Sequence, residues 1–413
     1  MRVYLITSTP YALLHHRFQK IADTLRKAGV PVTYVEHTYG WKEFLRHRRA
    51  ELIGEIARSA LYHTRACARL LLRTKKKSVH RRQDGEKRDF EIASLPVVIP
   101  NNRFDFRILD MINASVYRIV LEDRVLGTMH SSETSIAVVD NPLWGQILQK
   151  GDFTHIVYDC IDEVGVYAGR SSVDRALLNE KLLVNLADFI FVTAQSLEKH
   201  IRTLDTQKPV RRIPNGVDYQ WFVEGAEKSP VPQDLATKKR PMVGYVGTLY
   251  EWIDFDLVQK VAAKLPEVSF VFVGPVDRSD RIRVLSSLPN MTWLGKKSYT
   301  DIPAYVQAFD VCTIPFREGG IAESTNPIKL FEYFALGKPV VTTAMNEVKP
   351  FTVNKLSYMG RGVDEYVKAI REALADHSGE KSSARKEVAR LHSWKEHVEQ
   401  MLGVFEELSK HAS

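Results

Sequence analysis

No apolar run in this 413-residue chain approaches the roughly 18 residues that a membrane span needs. The apolar part of the first stretch, MRVYLITSTP, is too short for a signal peptide and is read instead as a first strand. A soluble or surface-bound protein is therefore expected. Cysteine is scarce: Cys67, Cys160 and Cys312 lie far apart in a spacing that fits neither a metal site nor a redox pair. They are read as reduced thiols in packed positions, which favours the cytoplasm. The turn after the first strand, STPYALLHH, lacks the glycines of a dinucleotide fingerprint, so nicotinamide chemistry loses its main support.

With 44% hydrophobic and 26% charged residues, the chain is neither disordered nor fibrous and is long enough for two domains with ample cores. Its formal charge of +8 is concentrated in one place, because residues 41 to 90 hold 15 Lys/Arg against 6 Asp/Glu, a net +9. Trp41 to Leu72 keeps near-helical apolar spacing with arginines between, and Lys75 to Arg88 (KKKSVHRRQDGEKR) continues the charge as a loop. Such a segment suits an anionic membrane surface or another polyanion; a helix packed on a sheet with a wet basic face is the plainer alternative. No nucleic-acid partner is expected.

Elsewhere the pattern is β-α-β. Val3 to Thr7, Val32 to Glu36, Val97 to Pro100, Ser135 to Val139, His155 to Tyr158 and Ala187 to Ala194 read as strands, and Arg17 to Lys27 as a helix with Phe18, Ile21, Ala22 and Leu25 inward. This alternation predicts an α/β fold with parallel sheets covered on both faces. Ligands in that class collect beyond the carboxyl ends of strands, where Asp159, Asp162 and Glu163 (YDCIDE) fall. These acids could bind an acceptor hydroxyl, act as a base, or only cap the next helix. Ile213 to Asp218 (IPNGVD) is a compact turn, and the polar stretch Glu224 to Arg240 is taken as the domain linker. The expected boundaries are 1–222 and 223–392, with a final helix from the capping box Ser393-Trp394-Lys395-Glu396, covering 393–413, completing the first domain. In the second half, Met242 to Val246, Ser269 to Val273, Thr292 to Leu294 and Val311 to Pro315 are further strands, and Asp254 to Leu265 a helix.

The stretch Arg317 to Thr343, REGGIAESTNPIKLFEYFALGKPVVTT, reads as a glycine loop, a short helix and a buried strand. Asn326 and Pro327 make a helix start and Gly337 its stop, with Ile328, Phe331, Phe334 and Ala335 toward a core. Lys329 and Glu332 are then neighbours on another face. A cation beside free N–H groups suits a diphosphate, and a carboxylate one turn deeper can accept hydrogen bonds from vicinal sugar hydroxyls. A solvated Lys–Glu pair has the same spacing.

The ordered set ADFIFVTAQSLEKHI, IPNGVD, MVGYVGTL, FVFVGP and NPIKLFEYFALGKPVV resembles glycosyltransferases of family 4, which have the GT-B fold. YDCIDE and GTLYEWIDFDL place the chain near bacterial enzymes that build teichuronic acid and similar cell-surface polysaccharides. The resemblance implies two Rossmann-like domains facing a cleft, a UDP- or GDP-linked sugar donor as substrate with no resident cofactor, a glycan or lipid-linked acceptor, retention at the anomeric carbon, and a last helix crossing back to the first domain. It places the donor ribose at Glu332, and the phosphates at Lys329, Asn326 and Gly319-Gly320. Gly247-Thr248 would cap the cleft, Leu294-Gly295-Lys296 would meet the base, and Asp159 would lie near the acceptor. Family members carry a glutamate eight residues before Glu332, where this chain has Ser324 with Glu323 one place off register. They also carry Arg and Lys soon after the Gly247 turn, where Thr248 and Trp252 stand, so phosphate charge falls to Lys329 and Arg317. No DxD motif stands where a donor-bridging metal would need one, and activity without metal at the inner face of a membrane is expected. A nucleotide-sugar epimerase and a catalytically silent module that binds glycan or a partner are the alternatives.

Overall fold

Short β-branched and aromatic runs between polar turns become parallel strands when both faces can be covered by helices. The protein, a computed structural model that describes residues 1–7, 11, 17–37, 90–95, 107–130, 132–164 and 173–410, builds two such sheets. The chain divides into two compact units: Met1–Val192, Leu197–Arg212 and Val398–Ser413 form the first, and Thr193–Ser196 with Ile213–His397 the second.

In the first unit the sheet order is β3-β2-β1-β4-β5-β6-β7 and every described pairing is parallel. Its strands are β1 (Arg2–Thr7), β2 (Val32–His37), β3 (Phe90–Leu95), β4 (Ser135–Val139), β5 (His155–Cys160), β6 (Phe189–Val192) and β7 (Val210–Arg212). Between them run α1 (Arg17–Lys27), α2 (Arg107–Arg124), α3 (Val173–Leu186) and α4 (Gln195–Leu204). Helix α1 buries Phe18, Ile21, Ala22 and Leu25, the face its periodicity predicts. Strand β3 was not foreseen, since FEIASL carries a charge and follows the basic run. The expected strand Val97 to Pro100 lies outside the described residues, as does the basic segment 41–90 apart from Phe90.

The second unit has the order β10-β9-β8-β11-β12-β13, with strands β8 (Met242–Val246), β9 (Ser269–Val273), β10 (Met291–Trp293), β11 (Val311–Ile314), β12 (Val340–Thr342) and β13 (Ser357–Met359). Its helices are α5 (Tyr219–Lys228), α6 (Phe255–Lys264), α7 (Ser279–Leu285), α8 (Ile302–Ala308), α9 (Ile321–Ser324), α10 (Ile328–Ala335), α11 (Lys349–Thr352), α12 (Gly362–Leu374) and α13 (Gly379–Leu391). The last helix, α14 (Trp394–Lys410), begins in the second unit and ends in the first. It starts on the expected cap: Glu396 N donates to Ser393 Oγ at 3.3 Å.

The stretch Glu224 to Arg240 is not wholly a linker, because its first residues complete helix α5. Phe222 is fully buried there, and Lys228 reaches back to Glu224 at 2.7 Å across one turn. Among the described residues no helix is long and apolar enough to cross a membrane.

Candidate functional site

Strand order in the second sheet reverses between β8 and β11, which are neighbours although β9 and β10 continue outward from β8. Loops leaving the carboxyl ends of such strands diverge and open a crevice at this switch point. The loops here are Gly247-Thr248 after β8, Gly274-Pro275 after β9, Gly295-Lys296 after β10 and Arg317 to Gly320 after β11. Hydrogen bonds lace the first three together. Gly247 N donates to Val273 O at 2.8 Å, Gly274 N to Gly295 O at 2.9 Å, and Trp293 Nε1 to Gly274 O at 2.9 Å.

Helix α10 is held against this edge by its apolar arc: Leu330, Phe331, Tyr333, Phe334 and Ala335 are buried, and Ile328 is only half-buried. Leu330, Phe331 and Phe334 each contribute on the order of 1.5–3 kcal/mol by leaving water, so the arc anchors a helix of only eight residues. The Tyr333 hydroxyl fixes the register, accepting from Val246 N at 2.9 Å and donating to Val246 O at 3.3 Å. That contact sits one residue before Gly247. Lys329 is thereby laid along the turn, with its Nζ 5.7 Å from the centroid of the Tyr245 ring. A methyl group on Gly247 would stand 2.2 Å from Lys329 Cε and 2.6 Å from Nζ, so the absent side chain is what admits the lysine. Burial lowers the pKa of this ammonium and the nearby Glu332 charge partly offsets the effect.

Glu332 is half-buried one turn deeper. Its charge reaches the Tyr299 phenol, which burial, then Glu332 and Asp218, push up. Trp221 stacks on Tyr299 with ring centroids 4.4 Å apart and planes 11° from parallel. Lysine, glutamate and an aromatic pair therefore share one region of the second unit.

The remaining sequence-predicted residues take other parts. Asn326 does not cap α10: the N-cap is Pro327, without a side-chain bond. Asn326 is buried instead, with Oδ1 accepting from Asn215 N at 3.1 Å and its carbonyl from Asn215 Nδ2 at 2.8 Å. Arg317 is exposed and ties down the 251–252 loop, donating from Nε to Glu251 O at 2.9 Å and from N to Trp252 O at 2.8 Å. Gly319 and Gly320 have φ of 80° and 52°, a turn that leads into α9. There Glu323 is exposed, its carbonyl accepting from Asn346 Nδ2 at 3.1 Å, and Ser324 is buried. The Thr248 carbonyl accepts from the Tyr245 hydroxyl at 3.0 Å, and Lys296 is exposed.

Sequence reasoning did not single out Tyr245, Tyr333, Trp221 or Tyr299, since an isolated aromatic carries no spacing signal. It also missed Arg281, whose Nη1 reaches Leu249 O at 3.4 Å from helix α7 while pairing with Asp277 at 2.7 Å. A cation does approach the Gly247 turn, but from another helix and already paired.

In the first unit Asp159 is fully buried on β5. Arg17, the first residue of α1, grips it with two bonds: Nε to Oδ2 at 2.7 Å and Nη2 to Oδ1 at 3.0 Å. Beyond the strand, burial raises the Asp162 carboxyl to about 6, against the lowering effect of Arg17.

Residues 240–376 match the family described as glycosyl transferases group 1. The chain is 26% identical over 255 residues to the Bacillus subtilis (strain 168) protein TuaH, named as a teichuronic acid biosynthesis glycosyltransferase. That alignment covers 58% of this chain and 64% of TuaH, so the chain matches less than two thirds of that relative's length. Among solved structures, a sucrose-phosphate synthase from Thermosynechococcus elongatus superposes with a TM-score of 0.70 at 17% identity, covering 99% of both chains. A trehalose-6-phosphate protein from E. coli, bound with UDP-2-fluoro glucose, superposes with a TM-score of 0.67 at 12% identity, covering 98% of both chains.

Proposed function

We propose, from the match of residues 240–376 to the glycosyl transferases group 1 family, that this protein moves a sugar from a nucleotide diphosphate donor to a glycan or lipid-linked acceptor. The fold is GT-B. The observation that carries the reading is Lys329, a desolvated cation pressed against Gly247 at the strand-order switch, beside a helix N-terminus that no side chain caps. A half-buried ammonium of lowered pKa is costly without an anion, and a diphosphate supplies one.

In this scheme the bond between the anomeric carbon and the β-phosphate oxygen breaks as the acceptor oxygen bonds to that carbon, with retention. The departing oxygen gains charge, which Lys329 and the first N–H groups of α10 meet without reorganising. The acceptor proton leaves with the departing diphosphate oxygen, which gains charge as the bond to the anomeric carbon breaks. Glu332 accepts from the ribose hydroxyls. Because Lys329 supplies the charge, transfer proceeds without a divalent metal. The likeness to TuaH favours an acceptor in cell-surface polysaccharide synthesis.

Steady-state kinetics with UDP- and GDP-sugars test the assignment. Glu332→Gln keeps the shape but weakens charge-assisted bonds worth about 1.5–3 kcal/mol, so donor affinity should fall roughly tenfold or more. Lys329→Ala should lower turnover more than binding, since its charge acts most on the leaving group. Near-native constants in both variants, with circular dichroism unchanged, would remove the donor site from α10.

A further inference from the structure

An asparagine just before a proline and a helix would ordinarily turn its side chain onto the first free N–H groups. Asn326 turns the other way. Its Oδ1 accepts from Asn215 N at 3.1 Å while Asn215 Nδ2 donates to the Asn326 carbonyl at 2.8 Å, so two asparagines 111 positions apart exchange a pair of bonds. Both are buried, where each broken bond would leave a polar group without water. Two consequences follow for α10. Its N-cap falls to Pro327, which has no side-chain acceptor, and the backbone leading into the helix is fixed from outside it.

The turn that supplies Asn215 is itself immobilised. Val217 N donates to His392 O at 3.0 Å, Trp394 N donates to Val217 O at 3.0 Å, and a methyl group on Gly216 would come within 3.0 Å of His392 O. The His392 ring stacks on Phe331 of α10, centroids 4.4 Å apart and planes 12° from parallel. One turn thus holds the helix at its N-terminus through Asn326 and at its second turn through His392.

We propose that Asn215 is a positioning residue of the donor site, which sets the N-terminus of α10, and with it Lys329, at the place the diphosphate occupies, by drawing off the side chain that would otherwise cap the helix. The inference rests on the donor reading above. It separates Asn326, whose side chain serves Asn215, from residues that touch the phosphates.

The test is calorimetric titration with UDP and with GDP of the full-length wild type, Asn215→Ala, Asn326→Ala and the double variant, beside donor KM and kcat. Asn290→Ala is the control: its Nδ2 bonds three carbonyls, Ala262, Leu265 and Val268, each at 3.0 Å, far along the chain from α10, and its loss should lower the melting temperature without moving nucleotide affinity. Asn215→Ala should weaken the bound nucleotide and raise donor KM about tenfold, because small misplacements at a preorganised site are costly. The double variant should be little worse than either single one, the mark of a shared bond pair. Nucleotide affinity that is unchanged in Asn215→Ala overturns the proposal, as does a loss confined to Asn326→Ala. Should Asn215→Ala not fold, Asn215→Ser carries the same comparison. Failure of the wild type to bind either nucleotide brings down the donor reading itself, an outcome distinct from a wild type that binds and a variant that binds equally.

Discussion

Gly247 is the residue on which the candidate site turns, for reasons of both space and backbone. Its φ of 143° is one that residues with a side chain avoid, and any Cβ there would occupy the place of Lys329 Cε. Gly247→Ala should therefore displace the lysine and slow transfer by about tenfold or more, with far less effect in a Lys329→Ala background. Kinetics of the two singles and the double decide it; additive losses would mean that the glycine does not act through the lysine. The Lys329 and Glu332 pair was legible in the sequence because helical spacing is a local property. Asn326 was misread because the cap rule is also local, whereas its actual partner lies 111 positions away. Asp159 stood at a strand end and looked available, but Arg17, 142 positions earlier, holds it in a buried pair that no spacing reveals.

At the scale of elements, helices α3 and α4 meet over a buried carboxylate. Glu180 accepts from the Tyr158 hydroxyl at 3.0 Å, and His200 Nε2 lies 2.7 Å from its other oxygen; Cys160 Sγ lies 3.9 Å from the first. The Glu180 bond raises the pKa of His200, burial opposes this, and the charges of Glu180 and Glu163 add to the rise. The folded state thus binds the imidazole proton more tightly than the unfolded chain, whose histidine titrates near 6.5. The resulting stabilisation is complete below that value and is lost as pH rises through the folded pKa. Melting temperatures of wild type and His200→Gln from pH 5.5 to 8.5 should differ most at the acid end, by roughly 1–2 °C for a partly exposed pair in a domain of this size. A difference that does not change with pH sinks this account. Strands β4 and β9 matched their expected bounds, whereas β6 covers only the middle of the expected Ala187 to Ala194. Strands β7 and β13, three residues each, are too short for any periodicity and owe their pairing to neighbours already in the sheet.

For the whole molecule, charge governs the expectations. If Lys329 and α10 neutralise the leaving diphosphate, transfer in excess EDTA should keep most of its rate; a loss that magnesium or manganese restores would return the task to a metal. The segment 41–90, with its net +9, should bind anionic vesicles more than neutral ones, since a basic residue near such a surface contributes on the order of 1 kcal/mol. Sedimentation with Lys75, Lys76, Lys77, Arg81 and Arg82 changed to Ser reads this directly, and unchanged binding would leave a solvated basic face. The alternation of strand and helix announced two parallel sheets. The return of the last helix to the first unit, expected for 393–413, came from the family resemblance and not from that alternation, because it depends on contacts between the two ends of the chain; residues 398–413 do group with the first unit.

The bridge between Val217 and Ser393 joins the place where the chain passes into the second unit to the place where it leaves. Strands that pair lie about 4.8 Å apart, so nearly two hundred residues begin and end at almost one point. A segment closed at its neck in this way can change in its interior without altering the distance that its two ends must span.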